Sequence, residues 1–169
     1  MQMEAINHTI DTWIRDLEQC NFTRLCTQPA PDSWSLGQLY IHLIEDTNYY
    51  IEQIKICVSA NDHATEEAAS AAKTMFLNND FPDEAIEGAP ANAHIPQPDN
   101  KEQLMSRLLN LKEAIQQAGK WISTSSYKGK TKHPGLGYFN ANEWLQFAEM
   151  HFRHHRRQKK RIDDFLNRQ

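Results

Sequence analysis

Trp144-Leu145-Gln146-Phe147-Ala148-Glu149-Met150-His151-Phe152-Arg153-His154-His155 opens the segment whose periodicity decides the fold. Alternating steps of four and three residues from Trp144 reach Ala148, His151, His155, Gln158, Ile162 and Phe165. That spacing marks the buried seam of a helix packed against other helices, so one long helix is predicted from Ala141 to about Asn167. His151 and His155 lie one turn apart on the seam and can aim both imidazoles at one point. Two imidazoles buried together need either hydrogen-bond partners in the core or a bound cation that takes both lone pairs. Most of the surrounding basic residues, Arg153, His154, Arg156, Arg157, Lys159 and Lys160, are expected to face water.

Working back along the chain, Asn140 and Glu143 form a capping pair that starts this helix. Ser123 to Phe139 reads as a polar, glycine-rich loop, in which His133 either reaches the mouth of a site or serves the turn before Pro134. No segment alternates well enough to be a strand. Upstream, Asp99 and Glu102 offer a cap of the D-x-x-E form. Leu104, Leu108, Leu111, Ile115, Ala118 and Ile122 then make a second seam without histidine, suited to packing.

A further helix is signalled by Ser35 and Gln38 as a capping box, with Trp34 placed to staple against Leu39. It is expected to run to about Ser59 on Leu36, Leu39, Leu43, Tyr50, Ile54 and Val58, widened by Ile44 and Ile51. His42 stands at the edge of this face. Glu45 and Asp46 follow three and four residues later, within reach of its second ring nitrogen or of a neighbouring metal. The first helix, Gln2 to Cys20, buries Ile6, Ile10, Trp13, Ile14 and Leu17 and leaves His8 outside. Pro29 and Pro31 break the chain between Phe22 and Asp32.

From Asn61 to Pro98 the composition changes. Ala64 to Leu77 is expected to form a short helix, ended by Asn78 to Pro82, and Phe76, Leu77, Phe81, Ile86 and Ile95 are expected to pin the stretch to the core. Nothing in the pattern gives His63 or His94 a ligand role. Four long helices with an extended crossover after the second describe an all-α four-helix bundle, one domain over residues 1–169. Facing helices of such a bundle build interior sites. His42, His151 and His155 would then supply three nitrogens and leave a position open, which for zinc is the catalytic rather than the structural arrangement.

A net charge of −4 asks for no anionic partner, and basic residues late in a helix complement its dipole, so no nucleic-acid surface is expected. No run of 18 apolar residues and no charged-then-apolar start occurs, so neither a membrane span nor a signal peptide is expected, and the location reads as cytoplasmic. Cys20, Cys26 and Cys57 are an odd set whose spacing fits neither a zinc ribbon nor a redox pair, and they read as free thiols.

Trp34-Ser35-Leu36-Gly37-Gln38-Leu39-Tyr40-Ile41-His42-Leu43 resembles the W-S-x-x-x-x-x-x-H-[LI] opening of the second helix in the DinB/YfiT-like superfamily. Trp144 followed by His151-Phe152-Arg153-His154-His155 resembles that superfamily's W…H-x-x-H-H segment, and Phe76 to Pro82 and His133 to Trp144 resemble its connecting stretches. The resemblance implies a metal triad of His42, His151 and His155, with His154 flanking it. It also implies an up-down-down-up bundle that is commonly a homodimer, and nickel or zinc as the divalent metal. The implied chemistry acts on a small-molecule substrate. Members include transferases that act with a low-molecular-weight thiol (bacillithiol, mycothiol or glutathione) and an isomerase that uses mycothiol, and many others are described as metal-dependent hydrolases. A metal with an open position serves both by lowering the pKa of a thiol or water.

Glu45, Asp46 and Glu149 are the carboxylates expected to come close enough for general-base or supporting work, the alternative for each being a solvated helix residue. A zincin-type protease is disfavoured, because Phe152 stands where H-E-x-x-H needs glutamate. The competing reading is a non-catalytic helical bundle that binds a metal or small ligand.

Overall fold

The structure, a computed structural model, describes residues 2–82 and 94–169. The described residues are mostly helical: α1 (Gln2–Glu18), α2 (Phe22–Cys26), α3 (Leu36–Cys57), α4 (Ser70–Asn78), α5 (Lys101–Thr124) and α6 (Ala141–Leu166). One antiparallel hairpin, β1 (Lys130–His133) and β2 (Gly137–Asn140), leads into α6. Packing couples α3 to both α5 and α6, and α1 to the same two helices.

The helix starts follow local side-chain chemistry. Ser35 Oγ accepts from Gln38 N at 3.2 Å while Gln38 Oε1 accepts from Ser35 N at 2.9 Å, so two amides that the first turn leaves orphaned are satisfied reciprocally. The same two side chains hold the returning end of the crossover: Gln38 Nε2 donates to Ile95 O at 2.7 Å, and the Ser35 hydroxyl donates to Gln97 Oε1 at 2.7 Å. Asn140 and Glu143 repeat the reciprocal box at α6, at 2.9 and 2.8 Å. At α5 the cap is one residue later than the D-x-x-E reading: Asn100 Oδ1, not Asp99, accepts from Gln103 N at 2.7 Å. Asparagine caps as well as aspartate, so propensity does not separate Asn100 from Asp99.

The core is aromatic where α1, α3 and α6 meet. Trp13, Tyr40 and Phe152 are fully buried. The Trp13 ring meets Tyr40 edge-on at 5.2 Å and Phe152 at 5.9 Å, and the Tyr40 hydroxyl donates to Trp13 O at 2.8 Å. Burial along α6 is wider than the Trp144 seam, taking in Leu145, Phe147, Glu149, Met150 and Phe152, because α1 and α3 both pack on it. Lys159, expected to face water, is buried as well. Its ammonium sits 2.6 Å from Asp163 and 3.4 Å from Asp16, which compensates the lost hydration.

Three expectations give way to the structure. The expectation of no strand fails at residues 130–140, where Thr131 pairs with Phe139 and His133 with Gly137. Four-residue strands are too short to display a period, and Gly135 and Gly137, at φ 96° and 80°, make the turn. A Cβ on Gly137 would fall 2.6 Å from Ala69 N, so the strand also needs glycine to approach the chain entering α4. The break between Phe22 and Asp32 contains α2, capped by Asn21, and the prolines act only beyond it. The short helix of the crossover starts at Ser70 rather than Ala64 and ends on Asn79 in the left-handed region.

Of the apolar residues expected to fasten the crossover, Phe81 and Ile95 are buried and Phe76 meets Phe139 at 4.9 Å, but Leu77 is 86% exposed. Ile86 lies outside the described residues. No helix among the described residues is long and apolar enough to cross a membrane.

Candidate metal centre

Two helices bring three histidines to one point. His42 sits two turns into α3, a helix whose start is fixed by the Ser35 box, and His151 and His155 stand one turn apart on α6. His42 Nε2 lies 3.2 Å from both His151 Nε2 and His155 Nε2, and those two are 3.0 Å apart. His42 and His151 are buried and His155 is half-buried.

The donor set fits a divalent cation. Nitrogens at these separations lie on a circle of radius about 1.8 Å, inside the ~2.0–2.1 Å reach of a zinc–imidazole bond, so one ion can touch all three from one side of their plane. The protonation state suits it too. Burial, with the neighbouring imidazoles adding to it, holds His151 well below the ordinary histidine range, and burial brings His155 down to about 4. Both are neutral at pH 7, with lone pairs to give.

Aromatic rings wall the cluster. The Trp34 ring lies 4.8 Å from His42, Tyr50 lies 5.9 Å from His151, and Phe81 lies 6.2 Å from His151 and 5.3 Å from His154. Phe81 is fastened from behind. Arg153 donates to Asn79 O at 2.7 Å, while Gln146 donates to Phe76 O and Asn79 Oδ1, both at 3.0 Å. Neither Trp34 nor Phe81 was marked by periodicity as part of a site. The signals for them lie elsewhere: Trp34 stands just before the α3 cap and opens the W-S-…-H stretch, and Phe81 lies in the Phe76 to Pro82 stretch expected to be pinned to the core.

The three carboxylates separate in space. Asp46 Oδ2 is 3.6 Å from His42 Nε2 and 3.9 Å from His151 Nε2. Burial, and then repulsion from Glu45, raise its pKa to about 6. Glu45 is more than half exposed and faces Arg107 at 3.6 Å. Glu149 is buried and turned toward α1, accepting from Thr9 Oγ1 at 2.9 Å and from Arg153 Nε at 2.8 Å. Among the remaining histidines, His154 flanks the cluster with its ring 5.2 Å from His155. His133 packs in the hairpin against Phe139, Trp144 and Phe147. His63 meets Tyr138, and His8 and His94 are exposed.

These shifts set a pH dependence for the metal-free protein. A histidine whose folded pKa is lowered binds fewer protons folded than unfolded, so stability falls as pH drops through about 6.5, and His155 stops contributing below about 4. Asp46 acts with the opposite sign between about 6 and its ordinary value near 3.8, but it is one group against two. The melting temperature of metal-free protein is therefore expected to fall from pH 7 to pH 5. His155→Ala should flatten that slope by an amount on the order of 2 kcal/mol. Equal slopes in the two proteins would remove His155 as the cause.

Comparison with known proteins places this geometry in context. A family model described as the DinB superfamily matches residues 4–158, a span that includes His42, His151 and His155. No curated protein matches the chain.

Proposed function

The chain belongs to the DinB superfamily, and from that premise we propose a metal-dependent enzyme in which His42, His151 and His155 hold a divalent cation, nickel or zinc. The observation that carries the reading is the convergence of three Nε2 atoms within 3.2 Å of one another, drawn from two helices. In this reading α1, α3, α5 and α6 form an up-down-down-up four-helix bundle in one domain, with the long crossover between α3 and α5. The cation, when bound, supplies Lewis acidity that makes a thiol or a water nucleophilic at neutral pH. The substrate is a small molecule, and the reaction is transfer to a thiol or hydrolysis.

The chain's own residues do the rest. The two buried histidines and Trp34 hold the donors in place and keep bulk water from one side. Of the three acidic candidates, Asp46 alone has its carboxylate beside the histidine nitrogens, where it can take a proton from the incoming thiol or water. Glu149 holds Arg153, and through it the backbone at Asn79, so its role is to position the Phe81 wall.

The test is to supply zinc- or nickel-loaded protein with glutathione, mycothiol or bacillithiol and a panel of electrophiles, and in parallel with hydrolysable esters and amides. Turnover is expected in one panel, and Asp46→Asn is expected to lower kcat by roughly 10²-fold or more while metal content stays at one ion per chain. A variant as active as wild type would sink the proton-transfer role. Metal-loaded protein inert in both panels would count for the non-catalytic binding bundle.

A further inference from the structure

We propose that Gln158 is a positioning residue: it fixes His155 in the tautomer that leaves Nε2 free to bind a metal ion. Gln158 follows His155 by three residues on α6, on the same face of the helix. Its Oε1 lies 2.9 Å from His155 Nδ1. A carbonyl oxygen can only accept, so the hydrogen of the neutral ring sits on Nδ1 and the lone pair is left on Nε2. Nε2 is the atom that faces His42 at 3.2 Å and His151 at 3.0 Å.

The lock matters because the site needs three lone pairs directed at one point. A hydrogen on any one Nε2 would point into the cluster and remove a donor. Free imidazole has no strong reason to choose the Nδ1–H form, so a partner on Nδ1 must impose it. His155 is also the least buried of the three, and packing alone constrains its ring least. His151 Nδ1, by contrast, is buried with no hydrogen-bond partner among the described residues, and that ring is held by the walls around it.

The inference rests on the metal reading above, but its test does not depend on metal being bound. Long-range 1H–15N correlation spectra of metal-free protein read the tautomer of His155 directly. The wild type and Gln158→Glu, which keeps an acceptor, are expected to show the Nδ1–H form, whereas Gln158→Leu should shift toward Nε2–H. Zinc competition against a chromophoric chelator should then show Gln158→Leu weakened about 10- to 100-fold and Gln158→Glu within a few-fold of wild type. Wild-type His155 in the Nε2–H form would overturn the proposal, as would Gln158→Leu binding zinc as tightly as wild type. A wild type that binds neither zinc nor nickel would overturn the proposed function instead, and the tautomer spectra would still decide the role of Gln158.

Discussion

Purified without chelators, the protein is expected to carry about one nickel or zinc ion per chain by inductively coupled plasma mass spectrometry, and His42→Ala, His151→Ala and His155→Ala are each expected to carry essentially none. With three protein donors, losing one leaves a two-nitrogen site. The drop should exceed the roughly 10- to 100-fold that supporting residues control. Helicity should survive, because a chain of 169 residues has a core large enough to fold without a metal and the histidines occupy one edge of it. His151→Ala also removes a buried ring, so its loss of metal must be read beside a retained far-ultraviolet spectrum. A His151→Ala protein that kept full stoichiometry would break the ligand set. A wild type without metal after reconstitution would make the three rings polar residues of the core.

The second large effect is on stability. Trp144 is fully buried, stacks on Tyr50 at 5.5 Å, meets Phe139 at 4.9 Å and donates from Nε1 to Thr131 Oγ1 at 2.7 Å. It therefore joins α3, the hairpin and α6 in one contact. Trp144→Ala is expected to cost about 3–5 kcal/mol in urea denaturation, the usual range for emptying an aromatic core site. Against a total of about 5–15 kcal/mol that is a severe loss. Trp144→Phe keeps most of the burial and gives up the hydrogen bond, so about 1 kcal/mol is expected from that part. A Trp144→Ala loss below 1 kcal/mol would mean that the hairpin is not anchored through this ring. Because Tyr50 lies between Trp144 and His151, the same variant should also loosen one wall of the metal centre.

What the sequence discloses depends on how many residues repeat the signal. The seams of α5 and α6 recur over six or more positions each, and the capping boxes at Ser35 and Asn140 are reciprocal pairs, so their elements stand where periodicity and capping put them. The hairpin has four residues per strand, and what holds it is tertiary: Phe139 in the core, Thr131 under the Trp144 indole and Gly137 against Ala69. A single-residue choice such as Asn100 over Asp99 is decided by backbone geometry that composition does not carry. In the site, the histidine pair on α6 was legible from its position on a buried seam. Which carboxylate joins it was not, since Glu45 and Asp46 are neighbours on the helix and only the direction of α6 separates them. Lys159 misled for a related reason: Asp163 stands one turn on along the same helix, but Asp16 on α1, which lets the ammonium be buried, becomes its partner only after packing.

The indole of Trp34 also makes the chain its own optical reporter. Its ring is 4.8 Å from His42, while Trp13 is closed into the core, Trp121 belongs to α5 and Trp144 is set behind Tyr50. An ion with unpaired electrons held by His42 is expected to quench the emission of the neighbouring Trp34 ring, whereas closed-shell zinc is expected to leave it bright. The difference in emission between the wild type and Trp34→Phe is thus expected to fall when a paramagnetic ion binds and to hold when zinc does, so one side chain would tell the two kinds of ion apart with no dye attached.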